Sequence, residues 1–366
     1  MVANRELAEA LFDLAESHPP GDERLALLRA AYAVFDHPHE LGGRRRLPEA
    51  IPLETLPTVA LLRSSRSVDA LAAAVERLAG PQPANGGPTR RGYLSQAEVQ
   101  EALERAPELE ARQLRGAFHF HTRASDGAST LDEMARACLR RGASWAVVAD
   151  HTRGLACVNG LDGEGVALQR ALVDAWNRRH ADELRLLQGL EVEILADGSL
   201  DLPRPARGEV LAVAAIHTEL AERRDQTGRL LRALEEPRVW ALAHPRGRLF
   251  ARRSGIRANW EVVFAAAAAA GVLVEINGFP RRQDPDPGLI RLAWECGCRF
   301  LLGSDAHHPR HLAFDATALA LAAVAGVPRA AIANFDPLDS VLPPWLPPPE
   351  PPGKQRGLPG RGARAR

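Results

Sequence analysis

Seven short apolar runs, each closing on polar side chains of metal-ligand type, constrain this chain more than any other feature. They read LRGAFHFH (114–121), SWAVVADH (144–151), ELRLLQGLEVEI (183–194), VLAVAAIH (210–217), VWALAHP (239–245), GVLVEING (271–278) and RFLLGSDAH (299–307). Continuous apolarity over so few residues is the pattern of strands buried on both faces of a parallel sheet. Helical segments separate most of them. In one, TLDEMARACLRRG, Thr130 and Glu133 are spaced as a capping box. Roughly seven β/α units in about 225 residues suit a closed α/β barrel better than an open sheet.

The residues that close the runs are His119 and His121, His151, Glu191, His217, His244, Glu275 with Asn277, and Asp305 with His307. In a β/α barrel the C-terminal strand ends converge on one face, where such barrels build their sites. Along β structure His119 and His121 point the same way. Imidazoles suit zinc, iron and manganese, and carboxylates can bridge two ions. The supply exceeds what one ion needs, so the pattern predicts two to three divalent metal ions. A single strand-end histidine is usually an ordinary hydrogen-bonded residue; it is the convergence that points to metal. His37 and His39 repeat the H-x-H spacing beside a proline and outside any strand, so they are expected to lie outside the site. His308 and His311 fall in the loop after the last run.

Acidic and basic residues balance at 46 each, which removes the long-range field that draws a protein to nucleic acid or acidic lipid. The one lysine, Lys354, leaves no candidate Schiff-base or P-loop lysine in the predicted folded part. No membrane span and no secretory signal is read. The cysteines, Cys138, Cys157, Cys296 and Cys298, show no C-x-x-C pairing and are expected reduced in a cytoplasmic protein. Residues 1–85 read as a helical N-terminal region and 86–112 as a linker with a connecting helix capped by Ser95 and Glu98. Residues 113–340 read as the barrel, and 341–366 as a disordered Pro/Arg-rich tail.

The words HFHTRASDG, VADHT, VNGLD, GLEVEILADGSLDLP, IHTE, AHPRGRL, VEING and GSDAH follow one another across residues 114–310. In this order they resemble the polymerase-and-histidinol-phosphatase (PHP) superfamily, most closely the PHP domain of bacterial family X DNA polymerases. The resemblance implies a distorted seven-stranded β/α barrel with three metals. It places ligands at His119, His121, Asp126, His151, Glu191, His217, His244, Asp305 and His307. His119, His121, Glu191 and Asp305 would share one ion. Glu191 would bridge to a second held by His217 and His244, and Asp126, His151 and His307 would take the third. Residues 1–113 hold no D-x-D and are too short for a polymerase palm.

The reading that follows is a metal-dependent phosphoesterase of the histidinol-phosphatase type, working with a metal-bound hydroxide on a small phosphorylated substrate. Glu191, Asp305 and His307 are its expected catalytic groups, and Arg153, Asn159, Arg248 and Asn277 its expected substrate contacts. Arg248 leads because it falls on a family position; Arg246, Arg252 and Arg253 follow in HPRGRLFARR, and arginine's fork suits phosphate. Two alternatives stand beside it: a 3′–5′ exonuclease or 3′-end processing enzyme of DNA repair acting on single-stranded DNA ends, and a non-catalytic metal-binding scaffold.

Overall fold

The computed structural model describes residues 2–41, 45–79, 89–155, 158–180, 182–203, 210–220 and 224–346. Cys157, most of the Pro/Gly-rich linker and residues 347–366 of the expected tail lie outside the described residues. Helices α1 (Asn4–Ser17), α2 (Asp22–Phe35), α3 (Leu56–Arg63) and α4 (Val68–Ala79) come first. Their apolar stripes meet in a core of its own that includes Leu11, Phe12, Val34, Phe35, Val59 and Leu62. Helix α5 (Gln96–Arg105) starts at Ser95, whose hydroxyl accepts from the Glu98 N–H while Glu98 accepts from the Ser95 N–H.

The seven apolar runs form seven parallel strands: β1 (Gly116–Phe120), β2 (Trp145–His151), β3 (Arg185–Glu193), β4 (Leu211–Ala215), β5 (Val239–Leu242), β6 (Leu273–Asn277) and β7 (Phe300–Ala306). Each pairs with the next, and β7 pairs with β1 to close the barrel. Alternation sorts the side chains as a pleated strand requires. Val147, Leu187, Val213 and Leu301 fill the interior with Phe118, Trp145 and Trp240, whereas Val148, Val192, Val274 and Leu302 face outward. Helices α6 (Leu131–Arg140), α7 (Gly163–Arg179), α8 (Thr227–Leu234), α9 (Trp260–Ala270) and α10 (Pro287–Glu295) lie between strands, and α11 (Asp315–Ala325) follows the last. Among the described residues, no helix is long and apolar enough to cross a membrane.

Two features depart from the sequence expectation. Residues 341–346, assigned to a disordered tail, close the barrel floor instead. Val341 is buried in the interior cluster with Leu342 and Leu346 against it, and the Trp240 indole N–H donates to the Val341 carbonyl at 3.1 Å. Three apolar side chains among the prolines are enough to dock the segment. The second departure is in β1, which is not a regular strand: Phe118 pairs with Val147 but Phe120 with Val148, leaving His119 as the extra residue of a bulge. His119 adopts a left-handed backbone (φ 60°). The bulge lets Phe118 face the interior core, Phe120 face the helices, and both histidines still reach the same end of the barrel.

The helical N-terminal region sits on the rim at that end. The loop after β5 inserts Phe250 into the helical core, 5.2 Å from the ring of Phe12 and 4.9 Å from those of Phe35 and Tyr93. Packing of this kind fixes the two bodies to one another.

Candidate metal centre

The nine side chains that the resemblance marks as ligands all come to the C-terminal end of the barrel, where the interior changes from apolar to polar. Glu191 lies at the middle of the group. Its Oε2 is 3.1 Å from His119 Nε2, 3.4 Å from His121 Nε2 and 3.3 Å from His151 Nδ1. Its Oε1 is 3.1 Å from His217 Nε2 and 2.8 Å from His244 Nε2. Asp305 Oδ1 is 3.1 Å from His121 Nε2, and Asp126 Oδ2 is 3.1 Å from His307 Nε2.

Three groups have donor atoms that all lie within 4.8 Å of one another: His119, His121, Glu191 and Asp305; His151, Glu191 and His217; and His121, Asp126, His151 and His307. The first coincides with the set expected for one ion. The other two differ in partition. His151 joins Glu191 and His217 as well as Asp126, His121 joins the third group, and His244 meets Glu191 alone through its 2.8 Å contact. Stacking of the His121 ring on those of His151 and His307, at 4.6 and 4.3 Å, draws the groups together.

The donor set fits divalent cations on three counts. The carboxylates are held ionised. Although burial opposes it, His151, His119 and His217 hold Glu191 well below the usual carboxylate range, and Arg282, His121 and His119 do the same for Asp305. Asp126 is lowered to about 2, against burial, by His307, His121 and His151. Second, among the described residues, buried ring nitrogens lack hydrogen-bond partners: His121 Nδ1, His244 Nδ1 and His217 Nε2, whose 3.1 Å approach to Glu191 Oε1 makes an ion pair without hydrogen-bond geometry. Such groups are expensive unless a cation or donor satisfies them. Third, three imidazoles have their remote nitrogen anchored, as ligating histidines do. His119 Nδ1 donates to Glu275 Oε1 (2.7 Å), His217 Nδ1 to Glu193 Oε2 (2.8 Å) and His307 Nδ1 to the Asp305 carbonyl (2.8 Å). The opposite nitrogen of each then faces the acids.

Backbone strain collects in the same place. His119, His244 and Asp305 all have positive φ (60°, 24° and 48°), and non-glycine residues hold such angles only where the surroundings over-determine them. Glu275 explains one glycine: a Cβ on Gly303 would lie 1.7 Å from Glu275 Oε1, so β7 must be bare there for the carboxylate to pass under His119. The Glu275 carboxylate also accepts from the His244 backbone N–H at 2.6 Å.

The expected substrate contacts fare differently. Arg153 is exposed and paired with Asp162 at 3.0 Å, and Asn159 is exposed on the same loop. Asn277 is buried; its Oδ1 accepts from the Phe279 N–H and its Nδ2 has no hydrogen-bond partner. The expectation for Arg248 is corrected. Its buried guanidinium stacks 3.7 Å from the centre of the Tyr93 ring, donates to the Arg91 carbonyl at 2.7 Å and lies 3.5 Å from Asp286. These contacts engage it in joining the barrel to the chain ahead of α5, because the rim there is covered by the helical region. Arg246 is likewise paired with Asp286, at 2.6 Å, and Arg253 Nε donates to the Gly247 carbonyl; Arg252 is exposed.

The guanidinium that does reach the cluster belongs to Arg282, which the sequence reading passed over. Its Nε donates to Asp305 Oδ2 at 2.8 Å, and its buried Nη1 has no hydrogen-bond partner among the described residues. Glu193 and Glu275 were also missed as supports of the histidines. Glu275 had been marked only as a strand-end residue, and the signal for Glu193 was alternation: it lies two residues from Glu191 and so on the same face.

No family model matches the chain. A stretch of 202 residues, 55% of the chain, is 33% identical to the DNA polymerase/3′-5′ exonuclease PolX of Bacillus subtilis (strain 168). The chain spans about a third of that relative, the match covering 35% of its length. Among solved structures, the histidinol phosphate phosphatase of Lactococcus lactis subsp. lactis Il1403, complexed with zinc, L-histidinol and phosphate, is similar at 13% identity and a TM-score of 0.40 over 56% of this chain and 92% of its own. A second solved chain, from Listeria monocytogenes, is 12% identical with a TM-score of 0.41 over 54% of this chain and 96% of its own.

Proposed function

We propose that the chain is a member of the polymerase-and-histidinol-phosphatase superfamily and a cytoplasmic, metal-dependent phosphoesterase. The observation that carries the proposal is the set of three donor groups meeting at Glu191 and the shared histidines. His119, His121, Asp126, His151, Glu191, His217, His244, Asp305 and His307 would hold up to three divalent ions, zinc, manganese or iron. Bound there, such ions would supply an activated water at neutral pH and neutralise charge building up on a phosphoryl group.

The chain's own residues do the rest. Glu275 and Glu193 fix the orientation of His119 and His217, and the Asp305 carbonyl fixes that of His307. Arg282 brings a permanent positive charge beside Asp305 with one nitrogen uncommitted, the arrangement required to hold a phosphoryl oxygen. Glu191, Asp305 and His307 act through the ions they would hold. Asn277, with an unpaired amide nitrogen, is the remaining candidate to orient substrate.

The leading substrate class is a small phosphomonoester, because a chain with 46 acidic and 46 basic residues does not concentrate a polyanion. A 3′–5′ exonuclease is the second reading, favoured by the 33% identity to PolX. The deciding experiment loads the protein with manganese or zinc and offers aryl and alkyl phosphomonoesters, phosphodiesters and single-stranded DNA with free 3′ ends. Metal-dependent release of phosphate from monoesters is expected, with slower loss of 3′ nucleotides. Faster DNA degradation at physiological salt would put the nuclease first, and inertness toward all of them in the metal-loaded protein would leave only the scaffold.

A further inference from the structure

Arg282 is the middle of three consecutive residues; one neighbour holds α2 of the helical region and the other the segment leading into α5. Arg281 places its guanidinium over the ring of Tyr32 in α2, 4.6 Å from the centroid. Gln283 uses both ends of its amide on one residue ahead of α5: Oε1 accepts from the Leu94 N–H at 2.7 Å, and Nε2 donates to the Leu94 carbonyl at 2.8 Å. Gln283 is buried and sits at φ 43°, a left-handed backbone that a free loop would relax. The Phe250 N–H donates to the Arg281 carbonyl at 2.7 Å, which ties the same stretch to the aromatic plug in the helical core. Between these grips Arg282 extends to Asp305.

We propose that the helical region and the segment leading into α5 act together as a positioning element of the metal centre: by gripping Arg281 and Gln283 they hold Arg282 against Asp305 with its free nitrogen in place. An arginine side chain has many rotamers, and a charge that must meet an oxyanion is effective only when it is held before the ligand arrives. The barrel fixes the base of this loop: Asn277 and Asp284 exchange backbone hydrogen bonds of 2.8 and 3.1 Å, and the Asp284 carboxylate accepts from the Arg246 and Arg248 N–H groups at 3.1 and 3.0 Å. The outer side of the loop has its grips on Tyr32 and Leu94. The helical region thus does more than shield an edge. Gln283, Arg281 and Tyr32 are positioning residues, and Arg282 is the group through which they act. The inference rests on the phosphoesterase reading for what Arg282 is held in place to do.

The test is a double-mutant cycle on the full chain, read by calorimetric binding of inorganic phosphate to the manganese-loaded protein. Kinetics on p-nitrophenyl phosphate, metal content and melting temperature are measured beside it. Gln283→Met keeps the length and removes both bonds to Leu94. It is expected to weaken phosphate binding, and raise KM, between about 10- and 100-fold with metal content unchanged. In an Arg282→Gln background the same change should cost less than about twofold, because coupled residues are not additive. Tyr32→Leu and Arg281→Gln probe the second grip, with Tyr32→Phe and Arg281→Lys as conservative rescues. In metal-free protein, hydrogen exchange across 278–284 should quicken in Gln283→Met. Equal losses in the two backgrounds, unchanged phosphate binding in Gln283→Met, or no phosphate binding by the parent chain would each overturn the proposal. The two readings separate cleanly. Non-additive phosphate binding without hydrolysis of any phosphoester sinks the enzyme and keeps the positioning role, whereas hydrolysis with an additive cycle does the reverse.

Discussion

His37–Pro38–His39 and His119–Phe120–His121 share one spacing and have opposite surroundings. The first pair lies just beyond α2, with ring centres 6.1 Å apart and His39 exposed. The His37 ring makes a local contact, Nδ1 meeting the His39 carbonyl at 2.7 Å. The second pair has ring centres 5.2 Å apart, is wholly buried, and faces Glu191, Glu275 and Asp305. What separates them is the number of other strand ends aimed at the same point. Spacing selects candidates, and convergence of independent elements makes a site.

The harshest way to strain that comparison is to remove the residue on which the strand ends converge. Glu191→Gln keeps shape and burial but replaces a carboxylate facing five imidazoles with a neutral amide. Loss of activity by at least about 10³-fold is expected, with fewer ions per chain by elemental analysis. Full occupancy with near-normal rates would mean that the strand ends do not act as one centre.

Stripping the ions comes next. Chelation should abolish hydrolysis and lower the melting temperature by about 5 °C or more, since anything that binds the folded state alone stabilises it. The effect should be confined to the barrel's polar end. Hydrogen exchange in the helical core around Phe12 and Val34 should change little. Uniform loosening of both would show that the two cores respond to the ions as one.

A smaller loss is expected one layer out. Glu275→Gln leaves every proposed ligand in place and weakens the anchor of His119. Reduction of metal affinity by about 10- to 100-fold is expected, measured by competition with a chelator of known affinity. An effect as large as that of Glu191→Gln would make Glu275 a ligand in its own right.

How much of this was legible in the sequence follows from the same contrast. The seven strands were readable because buried parallel strands are written as unbroken apolar runs, and the cluster because each run ends in ligand-type residues. The bulge at His119 was not readable: nothing in GAFHFH marks a left-handed backbone, which is imposed by the carboxylates on both nitrogens of its ring. Both Arg248 and Arg282 are loop arginines, and the sequence reading took Arg248, on a family position, and passed over Arg282. Which of them meets Asp305 depends on Tyr93 and Leu94, residues far away in sequence that stack on Arg248 and pair with Gln283. The same distance hid the docking of 341–346, whose few apolar side chains find a partner only in the barrel floor.

The weakest effect expected is none, and it completes the comparison. His39→Ala removes an exposed ring. The polar contacts of this residue run through its backbone: its carbonyl lies 2.9 Å from Asn4 Nδ2 and 2.7 Å from His37 Nδ1, and its N–H lies 3.3 Å from the same Nδ1, which serves one of these two according to its tautomer. An alanine retains all three. Surface substitutions that break nothing else stay within about 0.5 kcal/mol, so stability should hold along with metal content and rate. His121→Ala, made in parallel, takes away a nitrogen that lies 3.1 Å from Asp305 and 3.4 Å from Glu191, and should lose both metal and rate. Since the two pairs have the same H-x-H spacing, only their surroundings can produce the difference. If His39→Ala lost an ion while His121→Ala kept its full complement, the metal would be following the spacing and not the convergence, and the location of the centre would be wrong.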